Sequence, residues 1–392
     1  MIGLVLSNPR HHAEMMLPVA CELARRGTKV RVISLAELRG FATPTWDVPV
    51  GVEVIRAVPA RIRKNPSLGA GIGVSPDDRA GSLLRRTAQL ALWSVLGTRL
   101  LWLLRSCRVV MIPNDAAYPY RDLIVRLRAR RIPYVLLQEG IRFPLPAETT
   151  DPYGKSGADA VCAWGEGSAE HFRRIGVAAN TIHITGNPRF DELAVESFRL
   201  QGADLLAKAG VTSAPLVYLS NPIDDQGFCS TEDKLALFRR FLIDASPELA
   251  RRRVPLALKL HPREELEGFQ RVAAETKASV VFLNDAPLFA LLAGARAAVV
   301  LASTAGLEAL VFGVPLGVMS LPDHGFVFEY VTHGAAIGIL PHAISAGVAA
   351  LLDGAASAQV HREAFIERHL ATRGRATHNL ASVLSGLSEG RA

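Results

Sequence analysis

The sequence predicts an α/β protein built from two doubly wound, Rossmann-like domains facing each other across a cleft. Three observations predict it. Short apolar runs rich in Val, Ile and Leu alternate with helical patterns along the chain, as parallel strands covered on both faces do. The 392 residues are long for one core and suit two. The strand series pauses near Gly210 and starts afresh at Leu216. Residues 1–210 therefore read as an N-terminal Rossmann-like domain, and residues 211–392 as a C-terminal Rossmann-like domain ending in helices.

The first segment reads as a strand from Gly3, a loop at residues 7–12, a helix from Glu14 to Arg26 closed by Gly27, and a strand from Lys29 to Ser34. Glycine after the last helical turn and β-branched residues in the next run are the punctuation of a βαβ unit. Further strands are expected at Val52–Ala57, Val109–Pro113, Tyr134–Gln138, Ala160–Trp164 and Thr181–Gly186. The second series runs Leu216–Pro222, Leu256–Pro262, Ser279–Leu283, Ala297–Leu301 and Pro315–Met319. Both series open on a strand followed by Ser-Asn-Pro, at residues 7–9 and 220–222. Sheets of this kind bind ligands beyond the carboxyl ends of their strands, so chemistry is sought in the residues just after each strand.

Composition narrows the function classes. With 49% hydrophobic and 21% charged residues the chain is that of a globular enzyme, apart from a polar last dozen residues. Cys21, Cys107, Cys162 and Cys229 lack metal-ligand spacing and read as free thiols in a reducing compartment. No secretory leader is visible, and the expected location is the cytoplasm. A net charge of +7 fits anionic substrates or an anionic membrane surface. Zinc-finger spacing, aromatic RNA-binding motifs and long lysine runs are missing, so no nucleic-acid partner is expected.

Four constellations follow strands. Ser303-Thr304 opens a helix after the strand ending at Leu301, where free N–H groups and the helix dipole suit a phosphate. Glu308 lies one turn further on, placed to accept from ribose hydroxyls; a plain N-cap with a solvent-facing Glu is the equal alternative. Lys259 and His261 lie on one side of a strand end fixed by Pro262, where a His can donate to a phosphate or leaving-group oxygen; a capped turn with an exposed His is the alternative. Glu139, after the strand ending at Gln138, is placed as a general base on an acceptor hydroxyl, with Arg142 close by.

Asn114-Asp115 supplies a second polar pair for the same cleft. Asn187 and Arg189, in Thr185-Gly-Asn-Pro-Arg-Phe-Asp191, read either as donor contacts or as a structural turn. His11 and His12 read as solvated loop histidines more readily than as a base. Asp224-Asp225 and Asp77-Asp78 resemble half a metal site without a partner, so no metal is expected.

With these residues in hand the chain resembles the GT-B superfamily of sugar-nucleotide transferases, and within it bacterial surface-polysaccharide enzymes. Bacterial sialyl- and polysialyltransferases, Kdo transferases and polyglycerolphosphate transferases carry an acidic-Gly motif, a His-Pro motif and a Ser/Thr pair in that order. Gln138-Glu139-Gly140, His261-Pro262 and Ser303-Thr304 match them, with Gln138 departing from the two-acid form. The resemblance implies Glu139 as base and His261, Ser303 and Thr304 as holders of the nucleotide phosphate. The stretch Ala158–Leu193 also looks like UDP-N-acetylglucosamine 2-epimerases and lipid A disaccharide synthases, which share the fold.

The expected activity is transfer of a sugar from a nucleotide donor to a saccharide or glycan acceptor in surface-polysaccharide synthesis. No cofactor is expected beyond a CMP-, CDP- or UDP-linked donor, and closure of the two domains would exclude water. The alternative is a sugar-nucleotide 2-epimerase, although His261 is followed by Pro-Arg-Glu where epimerases carry a different pattern. A non-catalytic sugar-nucleotide-binding subunit is the third reading. Leu83–Arg108, with its Trp, Leu and Arg residues, reads as a buried helix covering the sheet or as one lying on the inner membrane near a lipid-linked acceptor.

Overall fold

The computed structural model of the protein describes residues 1–58, 93–142, 152–354 and 358–390. Asp77-Asp78 and residues 83–92 of the Leu83–Arg108 stretch lie outside the described residues. The chain forms two compact units, Met1–Leu193 with Arg368–Ala392, and Ala194–Glu367.

The first unit holds strands β1 (Ile2–Leu6), β2 (Val30–Ser34), β3 (Val52–Arg56), β4 (Val109–Ile112), β5 (Tyr134–Leu137), β6 (Ala160–Ala163) and β7 (Ile182–Ile184). They make one parallel sheet in the order β3-β2-β1-β4-β5-β6-β7. Every residue of β1, β4, β5 and β6 is buried, whereas the edge strands β3 and β7 are half-exposed. Burial on both faces is why the central strands read as unbroken apolar runs. Helices α1 (His11–Arg25), α2 (residues 93–104), α3 (Tyr120–Ala129) and α4 (Glu166–Arg174) connect them.

The second unit opens with α5 (Val195–Lys208). Its strands β8 (Leu216–Leu219), β9 (Leu256–Lys259), β10 (Val280–Phe282), β11 (Ala297–Val300), β12 (Leu316–Met319) and β13 (Ile337–Ile339) are parallel, in the order β10-β9-β8-β11-β12-β13. Between them run α6 (Thr231–Arg252), α7 (Leu266–Thr276), α8 (Leu288–Ala293) and α9 (Ala305–Val311); α10 (Ile344–Leu352) and α11 (Ala358–His369) follow. The strand β13, Ile-Gly-Ile, is too short and glycine-broken to be read from its sequence. Each sheet reverses its strand order once, between β1 and β4 and between β8 and β11, which defines one switch point per unit.

Two boundaries differ from the sequence expectation of 1–210 and 211–392. Helix α5 packs within the second unit: Phe198 meets Phe289 and Phe312 edge-on, at 5.5 and 5.8 Å between ring centroids. A Cβ at Gly202 would clash with the Ala290 carbonyl, so only glycine allows that approach. The last helix, α12 (Ala376–Glu389), belongs to the first unit. The Asp191 carboxylate caps its start, accepting from the N–H groups of Ala376 (2.9 Å) and Thr377 (2.7 Å). Thr372 Oγ1 donates to the Thr185 carbonyl at 2.7 Å. A Cβ at Gly186, whose φ is +82°, would meet the Ala371 carbonyl at 2.5 Å.

All four cysteines are free thiols: Cys107 and Cys162 are buried, Cys21 and Cys229 half-buried.

Candidate active site

In the first unit the switch point gathers the ends of β1, β4 and β5. After β1, Asn8 Oδ1 accepts from the N–H groups of Arg10 and His11, both at 3.0 Å, and starts α1 with two histidines in its first turn. His12 is not a solvated loop histidine; its side chain is 1% exposed. The backbone N–H groups of Ser7 (3.2 Å) and Asn8 (3.1 Å) both donate to its Nδ1. The ring proton therefore sits on Nε2, which donates to Glu139 Oε1 at 2.9 Å. His11 Nε2 donates to the Glu139 carbonyl at 2.9 Å.

Glu139 is thus held from three sides. Asn114 Nδ2 donates to its Oε2 at 3.0 Å, while Asn114 Oδ1 accepts from the N–H groups of Ala116 and Ala117 at 2.9 and 2.7 Å. The Glu139 side chain stays 29% exposed, so its carboxylate has a face for a ligand. Burial alone would raise that carboxyl. The adjoining His12 ring and the hydrogen bonds from His12 and Asn114 outweigh it and hold Glu139 well below the usual carboxylate range. Burial, with Arg189 and His12 nearby, pushes His11 down to about 3, so its ring is neutral.

Gln138 explains the departure from a two-acid motif. Its Oε1 accepts from the Trp164 N–H (2.8 Å), and its Nε2 donates to the Gly140 carbonyl and to Ser168 Oγ (both 2.8 Å). A carboxylate has no donor for the last two. Asp115 does not face a ligand as expected: it is fully buried, and its two oxygens accept from the N–H groups of Gly154 (2.8 Å) and Ser156 (3.1 Å). Burial raises its carboxyl despite these bonds. The Arg142 guanidinium lies 3.6 Å from the centre of the Tyr153 ring, whose hydroxyl accepts from the Glu139 N–H at 3.0 Å. Asn187 is buried; its Oδ1 accepts from the Arg189 N–H at 3.0 Å, and its Nδ2 has no hydrogen-bond partner among the described residues. Arg189 Nε donates to Glu14 at 2.7 Å. The Thr185–Asp191 turn thus braces α1 and α12.

In the second unit the switch point gathers the ends of β8, β9 and β11. Asn221 Nδ2 spans it, donating to the Ala302 carbonyl at 2.8 Å. His261 Nδ1 accepts from the Arg263 N–H at 3.2 Å, which leaves Nε2–H as the ring's donor. Lys259 Nζ donates to the Asn284 carbonyl at 2.8 Å. Behind His261 lies a carboxylate that no motif pointed to: Glu264, with a side chain 1% exposed. It accepts from the His261 N–H (3.0 Å) and Ser220 Oγ (2.9 Å), and lies 3.3 Å from Lys234 Nζ. Burial raises the Glu264 carboxyl against these partners.

Lys234 also lies 2.8 Å from Asp224, so Asp224 is an ion-pair partner and not a solvated loop acid. Ser303 Oγ accepts from the Ala305 N–H at 3.2 Å, and Thr304 occupies the N-cap position of α9. Glu308 is buried, not solvent-facing. Tyr330, unseen from the sequence, inserts its hydroxyl under this turn; it donates to the Ser303 carbonyl and accepts from the Leu307 N–H, both at 3.0 Å. Among the described residues no group of three or more His, Cys, Asp and Glu side chains is placed to hold a metal ion.

Two parallel doubly wound units, each with polar side chains at its switch point, define the GT-B class of fold. Residues 226–326, which include the His261 and Ser303 loops, match the family model described as capsule polysaccharide biosynthesis protein. No curated protein matches the sequence.

Solved structures match nearly the whole chain. UDP-GlcNAc 2-epimerase from Neisseria meningitidis, bound to UDP-GlcNAc, has a TM-score of 0.64 at 16% identity, covering 98% of this chain and all (100%) of that one. Anabaena HepE in complex with UDP-glucose has a TM-score of 0.58 at 13% identity, covering 99% of both chains. WaaG, a glycosyltransferase involved in lipopolysaccharide biosynthesis, has a TM-score of 0.54 at 12% identity, covering 98% of this chain and 100% of that one. At these identities the likeness is one of fold.

Proposed function

We propose that the protein is a metal-independent glycosyltransferase of surface-polysaccharide synthesis that moves a sugar from a nucleotide donor to a saccharide or lipid-linked glycan acceptor. The observation that carries this reading is Glu139, ionised, partly open and fixed by His12 and Asn114 at the carboxyl end of β5. The acceptor hydroxyl binds against the free face of this carboxylate. As the acceptor oxygen bonds to the sugar carbon its proton becomes acidic and passes to Glu139, while the bond from that carbon to the donor phosphate breaks. A carboxylate held this far down is a weak base, so the proton moves late in the step.

The departing phosphate gains negative charge and accepts from His261 Nε2–H, with the Ser303-Thr304 turn and Lys259 as further contacts. Glu308 and Arg142 are left as contacts to the ribose, sugar or acceptor, while Asn187 and Arg189 brace the Thr185–Asp191 turn. The donor is a UDP-sugar in preference to a CMP- or CDP-sugar, because the structural neighbours hold UDP-GlcNAc and UDP-glucose. The capsule-synthesis domain supports the transferase reading, and the likeness to the Neisseria enzyme favours 2-epimerisation as the second.

Product analysis separates the two. The protein is incubated with UDP-sugars, with and without an oligosaccharide acceptor. A transferase releases UDP only when acceptor is present; an epimer, or free sugar with UDP formed without acceptor, contradicts the proposal.

A further inference from the structure

We propose that the outward face of α2 and α3 in the first unit docks on an anionic lipid membrane. The two helices lie side by side on one face of the sheet. Leu96, Leu100 and Leu104 of α2 and Leu123 and Leu127 of α3 join a single core beneath them. Arg126 of α3 stands 5.4 Å from the centre of the Trp93 ring of α2, and a Cβ at Gly97 would meet its guanidinium at 3.2 Å. The opposite sides of both helices therefore face away from the sheet together.

That outward side carries large apolar side chains in the open: Val95 is 73% exposed, Trp102 56% and Val125 63%. Arg99, Arg105, Arg121 and Arg130 are exposed around them. The Arg105 guanidinium lies 4.4 Å from the centre of the Trp102 ring. Residues 93–131 contain eight arginines and two aspartates, Asp115 and Asp122. Asp115 is buried and Asp122 half-buried, so the exposed charge is positive.

Charge complementarity selects an anionic occupant, and the spacing of the apolar groups selects a lipid surface. A protein partner needs a contiguous, desolvated apolar centre. A membrane interface accepts separated Trp and Val side chains among the acyl-chain ends while arginines reach the headgroup phosphates. No helix among the described residues is long and apolar enough to cross a membrane, so this contact lies in the plane of the interface. The inference stands apart from the reaction, although a docked enzyme would meet a lipid-linked acceptor directly.

The test is flotation of the full chain with phosphatidylcholine vesicles, with and without phosphatidylglycerol. The wild type should float with the anionic vesicles and be released by salt. The double variant Arg105→Glu/Arg121→Glu should lower binding by roughly a hundredfold or more, and Trp102→Ala should lower it to a smaller extent. Their melting temperatures should match wild type, because the substituted side chains are exposed. Failure of the wild type to float, equal binding to neutral vesicles, or full binding by the double variant would overturn the proposal. So would equally tight binding to polyuridylate that ignores Trp102, which would mark a charge-only surface.

Discussion

The two switch points use the same pair of side-chain types in opposite order. In the first unit the imidazole is behind and the carboxylate in front: His12 is buried and steadies Glu139, which stays partly open. In the second unit the carboxylate is behind and the imidazole in front. Glu264 is buried and steadies the His261 backbone, while the ring's Nε2–H is left as donor. In the proposed reaction the side chain in front supplies the chemistry: an acceptor anion to take a proton, a donor to hold a phosphate. The side chain behind decides its geometry.

The largest effect that would sharpen this contrast is on turnover. Glu139→Gln keeps the shape and removes the proton acceptor, so the rate should fall roughly a hundred- to ten-thousand-fold. Nucleotide binding, measured by calorimetry, should stay at wild-type strength. A variant with near-normal rate would end the assignment of Glu139 as base.

Next comes the buried carboxylate of the second unit. Lys234→Met removes the cation shared by Asp224 and Glu264 and leaves Glu264 buried without it. Denaturant unfolding should show a loss of about 3–5 kcal/mol. A loss below about 1 kcal/mol would mean that Glu264 takes up a proton without consequence, and that it does not anchor the His261 loop.

The smallest effect concerns His11. Its folded-state value of about 3 lies below that of a free imidazole, so between those values the unfolded chain binds the extra proton. Stability should rise with pH from about 3 to about 6.5 and level off above, the free-imidazole value. His11→Gln should flatten that rise. Glu139, also held low, adds a loss of stability below about pH 4.3, where the unfolded carboxyl takes up its proton. An unchanged slope in the His11 variant would show that this ring is not kept neutral by burial.

Much of this was legible in the sequence, for physical reasons. Strands buried on both faces announce themselves as apolar runs, and Glu139, His261 and Ser303 each directly follow one. What stayed hidden depends on contacts distant in sequence. The worth of His12 comes from Glu139, 127 residues away, so a histidine pair in a loop reads as solvated. Glu264 lies in the His261 strand-end loop but only its burial shows that it turns inward, and Tyr330 sits in a segment without a strand-end signal. That α5 joins the second unit is hard to read because the helix looks polar; its stripe of Phe198, Gly202 and Leu206, four residues apart, is the available sign of packing. Asp191 reads as the end of a turn motif, whereas its partners lie in the last helix.

The most direct test of the central claim is calorimetric binding of UDP, CDP and CMP to the wild type, Glu139→Gln and His261→Ala. The account predicts that one nucleotide binds the wild type and Glu139→Gln alike, and that His261→Ala loses about 1.5–3 kcal/mol of that binding. No binding to the wild type, or binding lost with Glu139 and kept without His261, would contradict the division of labour between the two switch points.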